Sequence, residues 1–268
     1  MKKIIVALTA LTLTGCAIGI SPDSPKEQSS AETVNVEVKK QDLSKLSKTK
    51  LGYGQGVITD EKNRTTGALD FNKRYGELGA KAIDTDDKKI TLTFDQGYEN
   101  GYTAKILDTL KEKKIRAVFF LVKDYAEKNP DLVKRMIDEG HIIGNHSVHH
   151  YSMPTLDAKT CESEIMDMHK YIKDKFGYEM KLFRPPMGEF SEQSLTVTKN
   201  CGYETVMWSF AYADWDTKAQ PEEHKAAKKL VGAAHEGAIY LLHSVSKTNA
   251  QILGSVIDGI RAKGFEFN

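Results

Sequence analysis

The sequence predicts an α/β protein whose parallel sheet forms a distorted or incomplete barrel of about seven strands. From residue 88 onward, short apolar runs rich in β-branched and aromatic residues alternate with longer amphipathic stretches. A strand followed by a helix, repeated along a chain, produces right-handed crossovers and a parallel sheet. The runs are too few for a complete eightfold barrel, and an open doubly wound sheet is the alternative architecture.

The predicted strands are short apolar runs, and the second of them is apolar throughout, as expected for a strand buried on both faces. In chain order they are residues 90–94, 117–122, 141–144, 182–184, 205–208, 238–242 and 265–267.

The segments between these strands have the period of amphipathic helices. In chain order they are residues 102–113, 131–139, 158–176, 192–200, 222–235 and 250–263. Pro130 stands at a first-turn position, and glycine follows several of the segments, as it does at helix C-termini. No helix is predicted after the last strand, and residues 51–84 are expected to cover that place.

The N-terminal residues indicate export. Two lysines precede an apolar segment, residues 4–13, which is too short to span a bilayer and is typical of a signal peptide. The segment ends at Gly15 and Cys16, which resemble a bacterial lipobox, where the cysteine is acylated after cleavage. We therefore expect residues 1–15 to be a lipoprotein signal peptide and Cys16 to attach the chain, through a lipid, to the outer face of the cytoplasmic membrane. An ordinary secretion signal with an incidental cysteine is the alternative, and it also implies export.

The remaining chain divides by composition into three parts. Residues 16–50 are rich in Ser, Pro, Lys, Glu and Gln, which predicts a flexible tether. Residues 51–87 combine glycines with scattered aromatic residues, so we expect an ordered extension that packs on the barrel and contains a short helix over residues 70–78. Residues 88–268 form the predicted barrel domain.

The composition also limits the partners. The net charge is +1 over 268 residues, so no basic excess is present for binding nucleic acid. Cys161 and Cys201 are expected to be free thiols, because they open one predicted helix and close the next, and such ends would lie too far apart for a disulfide. We expect a monomer.

Polar side chains follow most of the predicted strands. They are Asp95 and Gln96, then His146, His149 and His150, then Arg184, then Asp214 with Trp215, and finally His243. Because the carboxyl ends of parallel strands meet at one rim, we expect these side chains to lie close together there. Taken singly, Asp95 fits an ion-pairing carboxylate, Arg184 a structural arginine and His243 a buried core histidine. Their occurrence at one rim favours a catalytic site.

His146 and His150 are candidate metal ligands. They are four residues apart, and on a helical turn this spacing places two imidazoles on one face. A nearby oxygen ligand would complete a site that keeps open positions for water, which is the catalytic pattern. His149 has the same chemistry, although its spacing to His146 is less suitable.

These segments resemble, in order and spacing, the motifs of the NodB-type polysaccharide deacetylases, carbohydrate esterase family 4. The matching segments are residues 93–97, 146–150, 184–191, 214–215 and 241–244. The similarity covers roughly residues 88–268 and is greatest to the branch that deacetylates muramic acid during muramic δ-lactam formation in spore-cortex peptidoglycan. Residues 94–103, 138–147 and 237–243 carry this finer likeness. The resemblance implies the same distorted barrel as the strand count.

The resemblance implies roles in amide hydrolysis. Asp95 matches the general base that takes a proton from the attacking water, and Arg184 matches the residue that keeps this carboxylate ionised and oriented. His243 matches the general acid that protonates the leaving amine, with Asp214 as its partner.

Further matches concern the substrate pocket. Leu241 matches the apolar lining for the acetyl methyl group, and Trp215 matches a pocket wall. Pro185 and Pro186 are predicted to belong to the same pocket.

A metal is implied by the match of His146 and His150 to the family's ligands, and zinc is the expected ion. Most of the family has a second aspartate where this chain has Gln96. A carboxamide is neutral and binds a hard or borderline cation more weakly than a carboxylate does. Gln96 is therefore either a third ligand or a residue that positions substrate while Asp95 chiefly activates the water.

The sequence thus predicts an exported hydrolase that removes the N-acetyl group from a peptidoglycan amino sugar, first of all N-acetylmuramic acid on the route to muramic δ-lactam. Deacetylation of N-acetylglucosamine or chitin oligomers is a second possibility. A catalytically inactive glycan-binding module is the alternative from another class. The complete acid–base set disfavours that alternative, because a site that has lost catalysis seldom keeps every such residue. Peptidoglycan glycan strands are the expected partner.

Overall fold

A computed structural model describes residues 40–268 of the chain. The predicted signal peptide, Cys16 and the predicted tether up to residue 39 lie outside the described residues. Residues 40–268 belong to one compact unit. None of the helices in this range is long and apolar enough to cross a membrane.

Most of the strands form one curved sheet. The strands are β1 (Leu51–Gly52), β2 (Ala80–Lys81), β3 (Thr91–Gln96), β4 (Val118–Leu121), β5 (Ile142–Asn145), β6 (Leu182–Phe183), β7 (Glu189–Phe190), β8 (Glu204–Val206), β9 (Phe210–Ala211) and β10 (Ile239–His243). The large sheet has eight strands in the order β2, β8, β6, β5, β4, β3, β10, β9, and all of its pairings are parallel. β1 and β7 form a separate antiparallel pair.

Helices alternate with these strands, which confirms the predicted α/β class. They are α1 (Thr66–Tyr75), α2 (Thr103–Lys113), α3 (Lys123–Lys128), α4 (Pro130–Asp138), α5 (Ala158–Phe176), α6 (Glu192–Asn200), α7 (Glu223–Gly232) and α8 (Lys247–Ala262). α5 shows how local sequence sets the limits. The Asp157 side chain accepts the Thr160 N–H at 2.9 Å before the first turn, and Gly177 ends the helix with a φ of 66°.

The sheet curls into a distorted barrel because residues 204–211 contribute to both of its ends. β8 lies between β2 and β6, whereas β9 lies beside β10 at the opposite end of the strand order. Only residues 207–209 separate β8 from β9, so the two ends of the sheet must approach each other. The predicted distorted barrel is therefore confirmed, and the open doubly wound sheet is not adopted.

β4 separates two hydrophobic cores. Val118 and Phe120 belong to the core inside the barrel, and Phe119 and Leu121 belong to the core beneath the surrounding helices. All four side chains are buried. Because successive side chains of a strand point to opposite faces, both faces are buried and the run must be apolar throughout.

The N-terminal extension contributes directly to the barrel. Phe71 and Tyr75 of α1 pack on Phe190 in the inner core. β2 adds an edge strand beside β8, which the sequence does not predict because two residues show no period. The helix begins at Thr66 and continues as a 3-10 turn to Leu78, so it starts earlier than the predicted residues 70–78.

The last part of the predicted tether is not free of the domain. The Gln41 N–H donates to Asn200 Oδ1 at 2.8 Å, and the Ser47 N–H donates to Glu192 Oε2 at 3.0 Å. Both acceptors lie on α6. The predicted boundary at residue 50 is therefore too late, since residues 40–50 already run along the folded unit.

Two other predictions differ from the structure at element ends. Residues 265–267 do not form a strand: a single bridge pairs Phe267 with Ile90, because only a short extended segment follows α8. The sequence does not predict α3, whose six residues are too few to show a helical period.

Cys161 and Cys201 are free thiols, as predicted. α5 and α6 pack side by side. Burial raises the pKa of Cys161 to about 12, and Cys201 lies near enough to add to the rise. Burial also raises the pKa of Cys201, to about 11, so both thiols stay protonated at neutral pH.

Candidate active site

Asp95 and His243 stand side by side at the carboxyl ends of β3 and β10. They are register partners in the parallel pairing of these strands, so their backbones lie about 4.8 Å apart. Both side chains line a cavity of about 600 Å³, a size typical of small-molecule sites. Its other walls are largely aromatic and apolar, and include Trp208, Trp215 and Leu241.

Arg184 holds Asp95 through a buried ion pair. Arg184 Nη1 donates to Asp95 Oδ1 and to Thr93 Oγ1, both at 2.7 Å. Its Nε donates to the Val206 carbonyl at 3.0 Å, and its Nη2 donates to the Met207 carbonyl at 2.9 Å. The arginine has no exposed surface. With its donors committed on several sides, the guanidinium fixes the direction in which the carboxylate points.

Asp95 stays ionised despite its burial. Burial disfavours the anion, but the positive charge of Arg184, with smaller contributions from His146 and His243, outweighs this effect. The pKa of Asp95 is consequently held below its ordinary value. An anionic carboxylate at the wall of a cavity can accept a proton from a water molecule.

His146 and His150 meet through an irregular loop rather than on a helical turn. Ser147 and His150 have positive φ values of 69° and 59°, which interrupt any helical repeat. Ser147 Oγ accepts the His150 N–H at 2.9 Å and closes the loop. The two imidazole centroids are 4.8 Å apart and the rings are nearly perpendicular. Both rings line the cavity.

Glu164 on α5 fixes this loop, which the sequence does not indicate. Glu164 Oε2 accepts the N–H groups of Val148 at 3.1 Å and His149 at 2.8 Å, and Oε1 lies 2.5 Å from His149 Nδ1. His149 also stacks on Tyr151, and it does not line the cavity. The alternative ligand left open by the sequence is therefore engaged elsewhere.

The hydrogen bonding of His146 prepares its Nε2 as a ligand. Nδ1 lies 2.7 Å from the Arg184 carbonyl, which can only accept, so Nδ1 carries the proton and the Nε2 lone pair stays free. Burial lowers the pKa of His146 to about 4 and also lowers the pKa of His150. Both rings are thus neutral at pH 7, which is the form that binds metals.

Gln96 does not line the cavity, although it directly follows Asp95. It is fully buried, and its Nε2 lies 2.5 Å from Ser244 Oγ. Its Oε1 is buried without a hydrogen-bond partner among the described residues. Within residues 40–268, no cluster of three or more His, Cys, Asp and Glu side chains has the spacing of a metal site. The two imidazoles are therefore the neutral donors that the cavity presents to a cation, and the buried Gln96 oxygen does not line the cavity beside them.

Asp214 holds His243 much as Arg184 holds Asp95. His243 Nδ1 donates to Asp214 Oδ1 at 2.7 Å, and the His243 backbone N–H donates to Asp214 Oδ2 at 2.9 Å. Asp214 is completely buried. Burial disfavours the imidazolium, but the hydrogen bond and charge of Asp214, with help from Asp95, raise the pKa of His243. Its Nε2 then remains as a proton donor.

The predicted pocket walls need one correction. Leu241 and Trp215 line the cavity, and Trp215 is 60% exposed. Pro185 and Pro186 do not line it, and both are buried. They begin a tight turn in which Met187 adopts a φ of 59°, and Met187 forms part of the wall instead.

The N-terminal extension completes the cavity through Trp208, which belongs to none of the predicted motifs. The Tyr53 hydroxyl donates to the Trp208 carbonyl at 2.5 Å, and Trp208 Nε1 donates to Gln55 Oε1 at 2.8 Å. Gln55 Nε2 donates to the Ala211 carbonyl at 3.2 Å. The only sequence signal for this contact is the glycine-rich aromatic stretch near Tyr53, because spacing cannot reveal a pairing between such distant segments.

A parallel barrel that presents an ionised carboxylate, a carboxylate-paired histidine and two neutral imidazoles in one cavity is equipped to hydrolyse an amide or ester. The chain belongs to the polysaccharide deacetylase family, whose model matches residues 82–206. It is 44% identical over 184 residues to the peptidoglycan-N-acetylmuramic acid deacetylase PdaA of Bacillus subtilis. These matched residues cover 68% of this chain and 70% of that protein. These findings confirm the predicted family and the predicted class of hydrolase.

Solved structures agree with the sequence relatives. The structure of Bacillus subtilis PdaA, a family 4 carbohydrate esterase, matches with a TM-score of 0.78 and 37% identity, over 83% of this chain and 96% of that one. A family 4 carbohydrate esterase from Bacillus anthracis matches with a TM-score of 0.68 and 39% identity, over 83% of this chain and 95% of that one. The peptidoglycan-N-acetylglucosamine deacetylase PgdA of Listeria monocytogenes is 32% identical over 204 residues, which cover 75% of this chain and 42% of that protein.

Proposed function

We propose that this protein hydrolyses the N-acetyl group of N-acetylmuramic acid in spore-cortex peptidoglycan, on the route to muramic δ-lactam. One observation carries the chemistry: a carboxylate paired with a buried cation and an imidazole paired with a buried anion are register partners at one cavity. Amide hydrolysis needs such a base and such an acid within reach of one carbonyl group. The substrate assignment is supported by the 44% identity to PdaA.

Asp95 is the proposed general base. Its Oδ1 is occupied by Arg184, whereas Oδ2 lies 3.5 Å from His146 Nε2, at the side where the two imidazoles stand. Oδ2 is therefore the oxygen that takes the proton of the attacking water. Arg184 keeps the carboxylate ionised before this step and holds its plane fixed during it.

His243 is the proposed general acid. Because Nδ1 is bonded to Asp214, the proton on Nε2 is the one delivered to the amine nitrogen as the carbon–nitrogen bond breaks. The neutral imidazole that remains still donates its Nδ1–H to Asp214, so the orientation of the ring is preserved. Leu241 is proposed to contact the acetyl methyl group and Trp215 a sugar face.

His146 and His150 are the residues proposed to hold a divalent cation, and zinc is the proposed ion. When bound, such a cation would polarise the acetyl carbonyl and lower the pKa of a water molecule. Zinc titration by calorimetry tests the assignment, because His150→Ala should abolish binding. Gln96→Ala should weaken zinc binding at least about 10-fold if Gln96 is a ligand. An unchanged affinity would leave Gln96 only a positioning role through Ser244.

N-acetylglucosamine deacetylation is the second candidate, and the likeness to PgdA supports it. An inactive glycan-binding module is not favoured, because both buried charge pairs of the acid–base set are intact.

We also propose that the chain works as a monomer outside the cytoplasmic membrane, anchored by a lipid on Cys16 after residues 1–15 are removed. Residues 51–87 are proposed to be part of the catalytic unit, and the bond between Gln55 and Trp208 supports this. Incorporation of a labelled fatty acid in cells tests the anchor. Cys16→Ser should abolish the labelling, and labelling that persists would contradict the assignment.

Acetate release by the purified protein, with divalent metals supplied, tests the enzymatic proposal. Peptide-free glycan strands, strands with intact peptides and chitin oligomers serve as substrates, and mass spectrometry identifies the sugar that has lost its acetyl group. We expect release from N-acetylmuramic acid in peptide-free strands. Loss from N-acetylglucosamine alone would establish the second candidate. No acetate from any glycan with any divalent metal would contradict both.

A further inference from the structure

Behind the His243–Asp214 pair lies a buried asparagine that none of the roles above uses. Asn249 belongs to the first turn of α8 and is 2% exposed. Ser246 precedes the helix, and its Oγ accepts the Asn249 N–H at 3.1 Å. This cap fixes the Asn249 backbone, so that the side chain is directed at Asp214.

Both ends of the Asn249 carboxamide are engaged. Nδ2 donates to Asp214 Oδ2 at 2.5 Å and to the His243 carbonyl at 3.3 Å. Oδ1 accepts the hydroxyl proton of Tyr212, whose ring lines the cavity. A flipped amide would place its oxygen against the Asp214 anion and its nitrogen against the tyrosine. The hydroxyl therefore holds the amide in the orientation that serves Asp214.

These contacts decide how Asp214 meets the imidazole. Asp214 Oδ1 receives the His243 Nδ1 proton, whereas Oδ2 receives two N–H groups, from the His243 backbone and from Asn249. Two donors on one oxygen prevent rotation of the carboxylate, and the other oxygen stays aimed at the ring. A neutral amide stabilises the buried anion without cancelling the charge that keeps His243 protonated. A lysine or an arginine in this place would cancel it.

We propose that Asn249, held by the Tyr212 hydroxyl, is a positioning residue for the general acid: it locks the Asp214 carboxylate in the orientation that aligns His243 for proton transfer. The catalytic part of this inference rests on the deacetylase function proposed above. Asn249 does not line the cavity, so it acts through Asp214 and not on the substrate.

Substitution of Asn249 by alanine is the first test. Asn249→Ala should lower kcat for acetate release about 10- to 100-fold, the usual cost of losing such a supporting contact, with KM almost unchanged. Tyr212→Phe keeps the ring but frees the amide, and should lower kcat about 3-fold. Asn72→Ala is the matched control, because Asn72 is also bonded at both ends of its carboxamide, to Ala82 and Ile83 far from this pair. It should lower stability and leave kcat unaltered.

Asn249→Asp supplies a pH signature that a merely structural role would not produce. When the introduced carboxyl group is protonated, it can donate a hydrogen bond to Asp214 as the amide does. When it is ionised, it repels Asp214. The other groups that face His243 and Asp214, namely Asp95, Arg184, His150 and Tyr212, are the same in both proteins. We therefore expect Asn249→Asp to keep much of the wild-type kcat at acidic pH and to lose it progressively as the pH rises.

The proton on His243 Nδ1 gives a readout that does not depend on turnover. Its NMR signal should lie downfield in the wild-type protein and move upfield in Asn249→Ala. If the alanine variant does not fold, the Nδ1 proton signals of Asn249→Asp and Tyr212→Phe are compared with the wild-type signal instead. A folded Asn249 variant with unchanged kcat, pH profile and Nδ1 proton signal would overturn the inference. A wild-type protein that releases no acetate would overturn the proposed function instead, and the NMR signal alone would then decide whether Asn249 positions His243.

Discussion

The proposed site has a base half around Asp95 and an acid half around His243, and the two halves hold their reactive groups in opposite charge states by opposite means. In the base half, the Asp95 carboxylate is paired with Arg184, a permanent cation with no exposed surface. In the acid half, the His243 imidazole is paired with the buried anion Asp214, and its side chain is 24% exposed. Burial alone would neutralise both reactive groups, and a single counter-charge prevents this in each half.

The difference lies in what supports each counter-charge. Arg184 keeps its proton because a guanidinium is a very weak acid, and Asp95 opposes the fall in its pKa that burial causes. Its other donors include two that are bonded to backbone carbonyls of the barrel. Asp214 is an anion that must itself be stabilised, and neutral donors such as Asn249 do so. The base half is therefore tied to the stability of the barrel, whereas the acid half depends on the orientation of a few side chains. Substitutions in the two halves should consequently fail in different ways.

The largest effect is expected from Asp95→Asn, which removes the base and keeps its shape. Acetate release should fall about 10²- to 10⁴-fold, the usual contribution of a general base. Asp86→Asn, at an exposed carboxylate, is the control and should keep the wild-type rate. A wild-type rate for Asp95→Asn would mean that another group activates the water.

Arg184→Met should chiefly affect folding, because it leaves Asp95 buried without its counter-charge. The free energy of unfolding, measured with urea at pH 7, should fall by about 3–5 kcal/mol. Since the pKa of Asp95 is lowered in the folded protein, this stabilisation is present at neutral pH and is lost as the pH falls. The difference between the variant and the wild type should therefore shrink in acid.

The control for Arg184→Met is an exposed ion pair. Lys134 lies 2.6 Å from Asp138, with 67% and 58% of the two side chains exposed. Lys134→Met should cost at most about 1 kcal/mol. Equal losses for the two variants would show that the Asp95–Arg184 pair contributes no more than a surface contact.

Asp214→Asn should change the pH dependence of turnover more than the fold. In the wild type the pKa of His243 is raised, so the imidazolium persists above its ordinary range and activity declines only at higher pH. Without the anion, burial is left to lower this pKa. The alkaline limb of the kcat/KM profile should then move to lower pH, with a loss of roughly 10-fold or more on the alkaline side. An alkaline limb at the same pH in both proteins would exclude His243 as the group that controls it.

The smallest effect is expected from Tyr53→Phe, which lies outside both halves and removes one hydrogen bond to the Trp208 carbonyl. The cost in unfolding free energy should be about 0.5–1.5 kcal/mol, with kcat nearly unchanged. Tyr151→Phe, at a side chain that is 50% exposed, serves as the control and should alter neither quantity. A large loss of kcat in Tyr53→Phe would show that Trp208 is held more critically than one hydroxyl implies.

The sequence is sufficient to bring the proposed acid–base residues together, because strand order alone places their positions at one rim. Asp95 and His243 end apolar runs, and runs that form parallel strands must meet there. The sequence cannot show where a residue other than glycine adopts a positive φ. Ser147, His150 and Met187 all adopt it without any mark in the sequence. For this reason the sequence does not reveal that an irregular loop brings the two histidines together, and the prolines, rather than Met187, are predicted at the pocket wall.

Supporting residues escape prediction for a different reason. Glu164 lies on a segment predicted as an amphipathic helix, residues 158–176, where a polar residue is expected to face solvent. Asn249 lies one residue before the predicted helix 250–263 and has no pattern that marks it. Their burial follows from packing between elements that are distant in sequence. The direction of a helix can be predicted from its neighbours, but its offset along the sheet cannot.

The bonds from Tyr53 and Gln55 to Trp208 bear on where the enzyme can be cut. The family match begins at residue 82, and a fragment that started there would retain Asp95 and every other residue of the acid–base set. It would also lose Tyr53 and Gln55, which bond the Trp208 carbonyl and indole N–H and so hold one wall of the cavity in place. A proteolytic nick before residue 60, or an exchange of barrels between relatives at residue 82, should therefore damage the site without touching its chemistry. We therefore expect the smallest transferable unit of this enzyme to be longer than the segment by which its family is recognised.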